Sequence, residues 1–463
     1  MPGYRWFVAT AMAVRLLAET AGEARAQASF PSVYDADRPT SDTAPASGAV
    51  SGQAQTFPWS QLTQAWDSLQ KQLDNRGIQL GIRYDGEVFS DMSGGLRRGA
   101  TYLGNLNLQL TVDTQRLIDW PGATVFVYGL EVHGGRPSIT FAGDAQGVGN
   151  IEAPVGWRLE EAWIQQNLFG NRFSMLIGRY DLNSEFYRLQ SASLFLNSSF
   201  GIGPEFSQSG QEGPSIFPNT SVGARVAIKP IEELVLRTAV LDGVPVDRPN
   251  GTREIFARDD GVLVVAEGAY LYRPLASEQP RTRQFRIGRN CCGTYTGKLA
   301  LGAWYYSATF DDLTKVHPDG QPVRRHGSRG FYLLADRTVY QDTRHPDRQI
   351  ALFGQLGIAD PRVNRFAYYT GGGLTVSALI PGRNQDEFGF AVAAAHNGSQ
   401  FMKAQRNQGM GAQRSEVTLE LTYLAQFGSH LALQPDLQFV INPNTEPRIK
   451  NAVAFILRFE LSL

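Results

Sequence analysis

The residues of this chain that could do chemistry fall on alternate positions of short segments. Near the C-terminus Glu416 and Glu420 alternate with Val417, Leu419 and Leu421, Asp436 and Gln438 with Leu437 and Phe439, and Arg458 and Glu460 with Leu457, Phe459 and Leu461. Upstream, Asn107, Gln109, Thr111 and Asp113 alternate with Leu106, Leu108, Leu110 and Val112. Arg225 and Lys229 alternate with Ala224, Val226 and Ile228, Arg237 follows, and Lys298 and Trp304 lie between Leu299, Leu301, Ala303 and Tyr305. Phe126, Tyr128, Leu130 and Val132 are read as the apolar face of their segment, which puts Glu131 and His133 on its polar face. Carboxylates, amides, guanidinium groups and an aromatic ring can exchange hydrogen bonds with a hydroxyl-rich solute whose C–H faces rest on the ring. Catalysis finds less support. There is no G-x-S-x-G elbow and no H-E-x-x-H, and Gly371-Gly372-Gly373 has no following Lys-Ser/Thr, so it reads as a strand bend. The six histidines are scattered without ligand spacing, and neither a metal nor a cofactor is expected.

Side chains of a strand alternate between its faces, so each segment has one apolar and one polar face. In a soluble sandwich the apolar face points into the core; in an outer-membrane barrel it points outward to lipid and the polar face lines a wet lumen. Strands of ten or more residues, a chain that ends within a strand and an N-terminal secretion signal favour the barrel. The expected fold is all-β: a 16-stranded antiparallel transmembrane β-barrel over 79–463, preceded by a short periplasmic helix. Connection lengths agree. With both termini in the periplasm, short turns such as 169–171 and 230–232 fall inside, and the long connections 134–157, 183–219, 243–261 and 311–328 fall outside. The connection 276–294 is long on the wrong side, and 361–363 is short on the outside.

The segment Glu416-x3-Glu420-x2-Tyr423, followed by Leu433-Gln434-Pro435-Asp436-Leu437-Gln438-Phe439-Val440-Ile441-Asn442-Pro443, resembles the C-terminal signature of the OprB-type carbohydrate-selective porins. Gly94-Gly95, Gly302-Ala303-Trp304-Tyr305, and Leu379-Ile380-Pro381-Gly382-Arg383 with Asp386 are also similar to that family, so the resemblance runs from about Leu73 onward. It implies passive, selective diffusion of sugars across an outer membrane, with Asp436 and Gln438 on a pore-facing strand. A general non-selective porin is the alternative, and a barrel enzyme or adhesin a more distant one. The chain departs from barrel habit at its end, which is Leu463 rather than Phe or Trp.

Composition fits this class. A mean hydropathy of −0.24 excludes a helical membrane bundle, whereas a barrel hides from hydropathy because only every second residue meets lipid. The net charge of −1 leaves no global field for nucleic acid, and none is expected as a partner. Residues 1–28 read as a signal peptide, with Arg5, an apolar run from Trp6 to Val14, and Ala26-Gln27-Ala28 as cleavage site. Residues 29–58 read as a flexible leader and 59–78 as an amphipathic helix, a strap or a plug at the barrel mouth. Cys291 and Cys292 are adjacent, a spacing that strains a disulfide.

The inward candidates are therefore Asp113, Glu131, Arg225, Arg237, Trp304, Glu416, Glu420, Asp436, Gln438 and Arg458. Basic residues fall in the first half of the barrel and acidic ones in the last three strands. They could face each other across the lumen, which suits uncharged polar solutes, or simply pair along the wall. Loop 183–219 carries Tyr187, Arg188, Glu205 and Phe206 and is the candidate constriction, if it folds inward. Sugar solutes, outer-membrane lipid and the barrel-assembly machinery are the expected partners, and a homo-oligomer is compatible with the sequence.

Overall fold

Period-two alternation becomes sixteen strands in this computed structural model, which describes residues 58–245, 260–272, 295–428 and 430–462. The signal sequence, the leader to residue 57, connection 276–294 with Cys291 and Cys292, and Leu463 lie outside the described residues. The strands are β1 (Ile78–Gly95), β2 (Gly99–Asp113), β3 (Ala123–Gly134), β4 (Gly156–Leu168), β5 (Phe173–Tyr180), β6 (Ser221–Ile231), β7 (Leu234–Asp242) and β8 (Val262–Tyr272). They continue as β9 (Gly297–Val316), β10 (Pro322–Gln341), β11 (Gln349–Ala359), β12 (Phe366–Ser377), β13 (Glu387–Asn397), β14 (Ser415–Phe427), β15 (Leu431–Ile441) and β16 (Lys450–Ser462). Each pairs antiparallel with its neighbour in sequence, and β1 pairs with β16, so the sheet closes and no edge remains. The helix α1 (Pro58–Asp74) docks on the rim where β1 begins. Gln70 Nε2 donates to the Leu80 carbonyl at 2.6 Å, and Arg116 reaches the Asp74 carbonyl at 3.2 Å.

The rim nearest α1 carries tight turns. At 169–172 three successive residues, Phe169, Gly170 and Asn171, have φ of 54°, 64° and 66°, which reverses the chain within four residues. The opposite rim carries the long connections 135–155, 181–220 and 398–414. One expected long loop, 311–328, is instead mostly strand: β9 and β10 run on past their neighbours and turn at 317–321. Opposed charges hold this extension, with Asp311 facing Arg324 at 3.5 Å and Asp312 reaching Arg325 at 2.9 Å.

The outer wall is apolar. Leu108, Ile164, Ile177, Ile228, Leu236, Leu301, Phe331, Leu352, Phe390, Leu421 and Phe455 all point away from the lumen and stay exposed. On β10 the outward Phe331, Leu333 and Ala335 are bracketed by Arg329 and Arg337, the latter lying over the Tyr272 ring at 4.6 Å. Eight residues cover about 26 Å of strand, or roughly 20 Å of height at the usual tilt, close to the ~25 Å apolar band of a membrane barrel.

Half of the inner wall is apolar as well. Leu241, Leu263, Val265, Trp304, Tyr332 and Phe353 meet Phe186, Tyr187, Leu194, Phe195, Phe200 and Phe206 of connection 181–220, so the hydrophobic core lies inside the barrel. This reverses the reading of β3. Phe126, Tyr128, Leu130 and Val132 point inward and join that core, and Tyr128 donates to the inward Asn107. Glu131 and His133 therefore face outward, bonded to each other at 2.8 Å, with His133 Nε2 2.9 Å from the Tyr84 hydroxyl. Glycine makes room for this outer cluster, because a Cβ at Gly104 would lie 2.5 Å from the Tyr84 hydroxyl and 2.9 Å from His133.

Candidate functional site: two loops inside the barrel

Connection 181–220 begins at a turn in which the Asp181 carboxylate accepts the Asn183 amide at 2.8 Å, and its base is closed by Leu182 N–H to the Ser215 carbonyl at 2.9 Å. Short helical turns at Leu182–Ser184, Ser191–Leu194, Ser198–Phe200 and α3 (Pro204–Ser207) compact it into a body that fits the lumen. Such turns are too short to satisfy their own amides and carbonyls, so a buried loop needs partners from elsewhere. The barrel wall supplies them. Asp336 accepts the Ser191 amide at 3.0 Å and its hydroxyl at 2.7 Å. Glu267 accepts the Tyr187 amide at 3.0 Å, the Tyr332 hydroxyl at 2.9 Å and Lys298 at 3.2 Å. Lys298 in turn donates to the Arg188 carbonyl at 2.8 Å, Arg237 to the Glu185 carbonyl, and Gln355 to the Phe200 carbonyl at 2.9 Å.

Arg225 is buried and forks onto the loop carboxylate Glu185 at 2.7 and 3.0 Å, while Ser174 and Gln165 each accept one further hydrogen at 2.9 Å. On the far wall Glu420 accepts the Leu196 and Asn197 amides at 2.6 and 3.0 Å. Gln434 donates to the Leu194 carbonyl at 2.7 Å, and Asn197 donates to Gln438 at 3.2 Å. The connection 135–155 is seated beside it. Glu416 accepts the Ala145 and Gln146 amides at 2.8 and 2.9 Å, and Gln438 donates to the Val148 carbonyl at 2.8 Å. The two loops also bind each other, through Ser198 N–H to Gly147 O at 2.9 Å and Gln208 to Ala145 O at 2.6 Å.

Of the loop residues singled out from sequence, Tyr187, Glu205 and Phe206 are fully buried between loop and wall, and Arg188 is half-buried. Phe206 lies flat on Trp304, with centroids 5.0 Å apart and planes 5° from parallel. The Tyr187 hydroxyl donates to Glu205 at 3.0 Å, and the second Glu205 oxygen meets no partner among the described residues. Burial in this aromatic setting pushes the Glu205 carboxyl up to about 7. Glycine leaves it space: a Cβ at Gly357 would sit 1.8 Å from the carboxylate.

Arg225 and Arg237 do not face Glu416 and Glu420 across open water; each set is taken up by the loop in front of it. Asp436 accepts from Gln438 at 3.0 Å and is buried. Asp113 stands at the end of β2 nearest α1, where it accepts the Gln115 amide at 3.0 Å and caps α2 (Thr114–Ile118). Water reaches a different stretch of wall, on β16, β1 and β2. There Arg83 pairs with Asp85 at 2.8 Å and with Glu460 at 3.3 Å, their side chains 16%, 5% and 22% exposed. Above them Arg458 binds Glu87 and reaches the exposed loop residue Asn150 at 2.6 Å. Sequence reasoning misses Arg83, Asp85, Glu87, Glu267 and Asp336 as site residues, although their alternation with apolar neighbours is there to read. Glu185 sits in a loop, where no periodicity can find it.

Set beside known proteins, this architecture has relatives. The sequence pattern of the OprB family, described as carbohydrate-selective porins, matches residues 97–463. Porin B of Pseudomonas aeruginosa is 23% identical over 423 residues, which cover 84% of this chain and 88% of that one. The high-pH structure of Pseudomonas putida OprB superposes with a TM-score of 0.74 at 20% identity, covering 86% of this chain and 97% of the other. The low-pH structure of the same protein gives 0.54 at 17% identity. With a closed sixteen-stranded barrel, an apolar outer band and a family match over most of its length, the chain belongs to the OprB family of carbohydrate-selective porins, channels of the outer membrane.

Proposed function

We propose that this porin passes small neutral sugars by diffusion through the space left between the two in-folded loops and the β16–β1–β2 wall. One observation carries the reading. The charged side chains along the β16–β1–β2 wall pair with opposite charges, Arg83 with Asp85 and Glu460 and Arg458 with Glu87, so this wall holds little unbalanced charge with which to attract or retain an ion. A neutral sugar asks only for hydrogen bonds. Arg83, Glu460 and Asn150 can exchange these from the water-accessible face, weakly enough for release. The narrowness of the residual space would act on size before chemistry.

In this reading the chain acts as a channel with no catalysis of its own. Residues 1–28 direct export, and α1 serves as a strap on the periplasmic rim. The outer band meets membrane lipid, with the outward Glu131–His133–Tyr84 cluster available to a second copy. The test is liposome swelling with glucose on Arg83→Ala and Glu460→Gln. Each should slow glucose entry several-fold relative to wild type, and unchanged rates in correctly folded variants would remove these residues from the path.

A further inference from the structure

Resting on that reading of the passage, we propose that the paired block of β14 and β15, namely Glu416, Glu420, Gln434 and Gln438, is a template. It reads the backbone of both loops and so sets the largest sugar that can pass. The spacing makes this workable. Glu416 and Glu420 lie four residues apart on one strand, and Gln434 and Gln438 four apart on the antiparallel next, so all four project from one face, Glu416 and Gln434 each about 13 Å to either side of the level shared by Glu420 and Gln438. Glu420 stands directly opposite Gln438 across the ladder.

Each loop is held by one acceptor and one donor. Glu420 takes two consecutive amides, Leu196 and Asn197, while Gln434 gives to the Leu194 carbonyl. Glu416 takes two consecutive amides of the other loop, Ala145 and Gln146, while Gln438 gives to the Val148 carbonyl. The Asn197 side chain then joins the two sets through Gln438. Six of these seven contacts are to main chain, so the register of the loops is read independently of their side chains. All four template side chains are buried, with exposures between 0% and 6%, and their polar atoms are engaged by the loops and by neighbouring wall residues. They are positioning residues that act on the solute through the loops.

A carboxylate can accept two amide hydrogens, whereas a carboxamide accepts with its oxygen only and presents N–H to the second donor. Glu420→Gln therefore keeps an acceptor for only one of the two amides and sets an N–H against the other, which raises the population of the displaced loop by roughly tenfold or more. The experiment compares the full-length protein with Glu420→Gln and with Gln434→Ala/Gln438→Ala, and uses the lipid-facing Leu301→Ala as control. Folded barrel is confirmed by heat-modifiable mobility. Open-pore ion conductance and liposome swelling with glucose, a disaccharide and a trisaccharide are then measured. The template predicts higher conductance and a trisaccharide rate raised at least several-fold relative to glucose in both template variants, with Leu301→Ala unchanged.

Unchanged conductance and size limit in folded variants overturn the proposal. Should Glu420→Gln fail to assemble, the neutral Gln434→Ala/Gln438→Ala pair decides the matter under the same criteria. A wild-type protein that conducts ions but admits no sugar would sink the sugar reading alone. The conductance comparison would still decide the template.

Discussion

Arg225 shows how a buried charge works in this lumen. Its guanidinium has no water to fall back on, and Glu185 supplies both its counter-charge and a geometry that accepts two parallel hydrogen bonds. Truncating it would leave Glu185 buried and uncompensated, a loss of about 3–5 kcal/mol. Arg225→Ala should lower the denaturation midpoint by a corresponding amount, measured as the shift from folded to unfolded mobility in urea. Glu205 works in the opposite sense, because it is a carboxyl that its surroundings prefer neutral. Its value rises from 4.5 to about 7 on docking. The stability it lends the docked loop is then fully present below pH 4.5, declines as the pH rises, and is gone once the pH passes about 7. Burial also raises Asp144 in the neighbouring loop, so both loops respond with the same sign. Conductance noise from loop motion should therefore grow between pH 5 and pH 8, and Glu205→Gln should flatten that dependence. A wild-type trace indifferent to pH would contradict the assignment.

At the scale of elements, sequence periodicity serves the strands well and the lumen less well. Alternation in β14 and in most of β15 is strict because one face meets lipid and the other meets polar backbone, and their inward residues are legible from sequence, whereas in β16 the inward Ala452, Ala454 and Ile456 are apolar and pack on connection 135–155. In β3 both faces carry apolar residues, since its inward residues join the hydrophobic core inside the barrel, with the Phe126 ring 5.0 Å from that of Trp163. A rule that equates apolar with outward then flips the strand, which is how Glu131 is misplaced. The inward position of connection 181–220 is suggested by its aromatic content, yet its partners are not. Hydrogen bonds such as those from Leu196 and Asn197 to Glu420 join residues more than two hundred positions apart, and main-chain donors leave no trace in composition. Arg188 illustrates the same limit, because what Lys298 reads is its carbonyl.

On the scale of the whole molecule, closure of the sheet and filling of its interior have separate causes. Closure follows from strand patterning and from the β1–β16 seam, which Glu87 and Arg458 join by a buried ion pair. Filling follows from two loops whose apolar faces complete one core against β3 to β5 and β7 to β13 and a second against β1, β2, β15 and β16, and whose backbone is held by β14 and β15. The proposed passage runs on one side of this filled barrel, past Arg83, Glu460 and Asn150. The central claim is that this passage admits and briefly holds neutral sugars. It is tested most directly by ion current through the purified wild-type protein in a planar bilayer, titrated with glucose and, separately, with an anionic sugar acid. The account predicts saturable reduction of the current by glucose and a much weaker effect of the acid. A steady current indifferent to glucose at every concentration would contradict it.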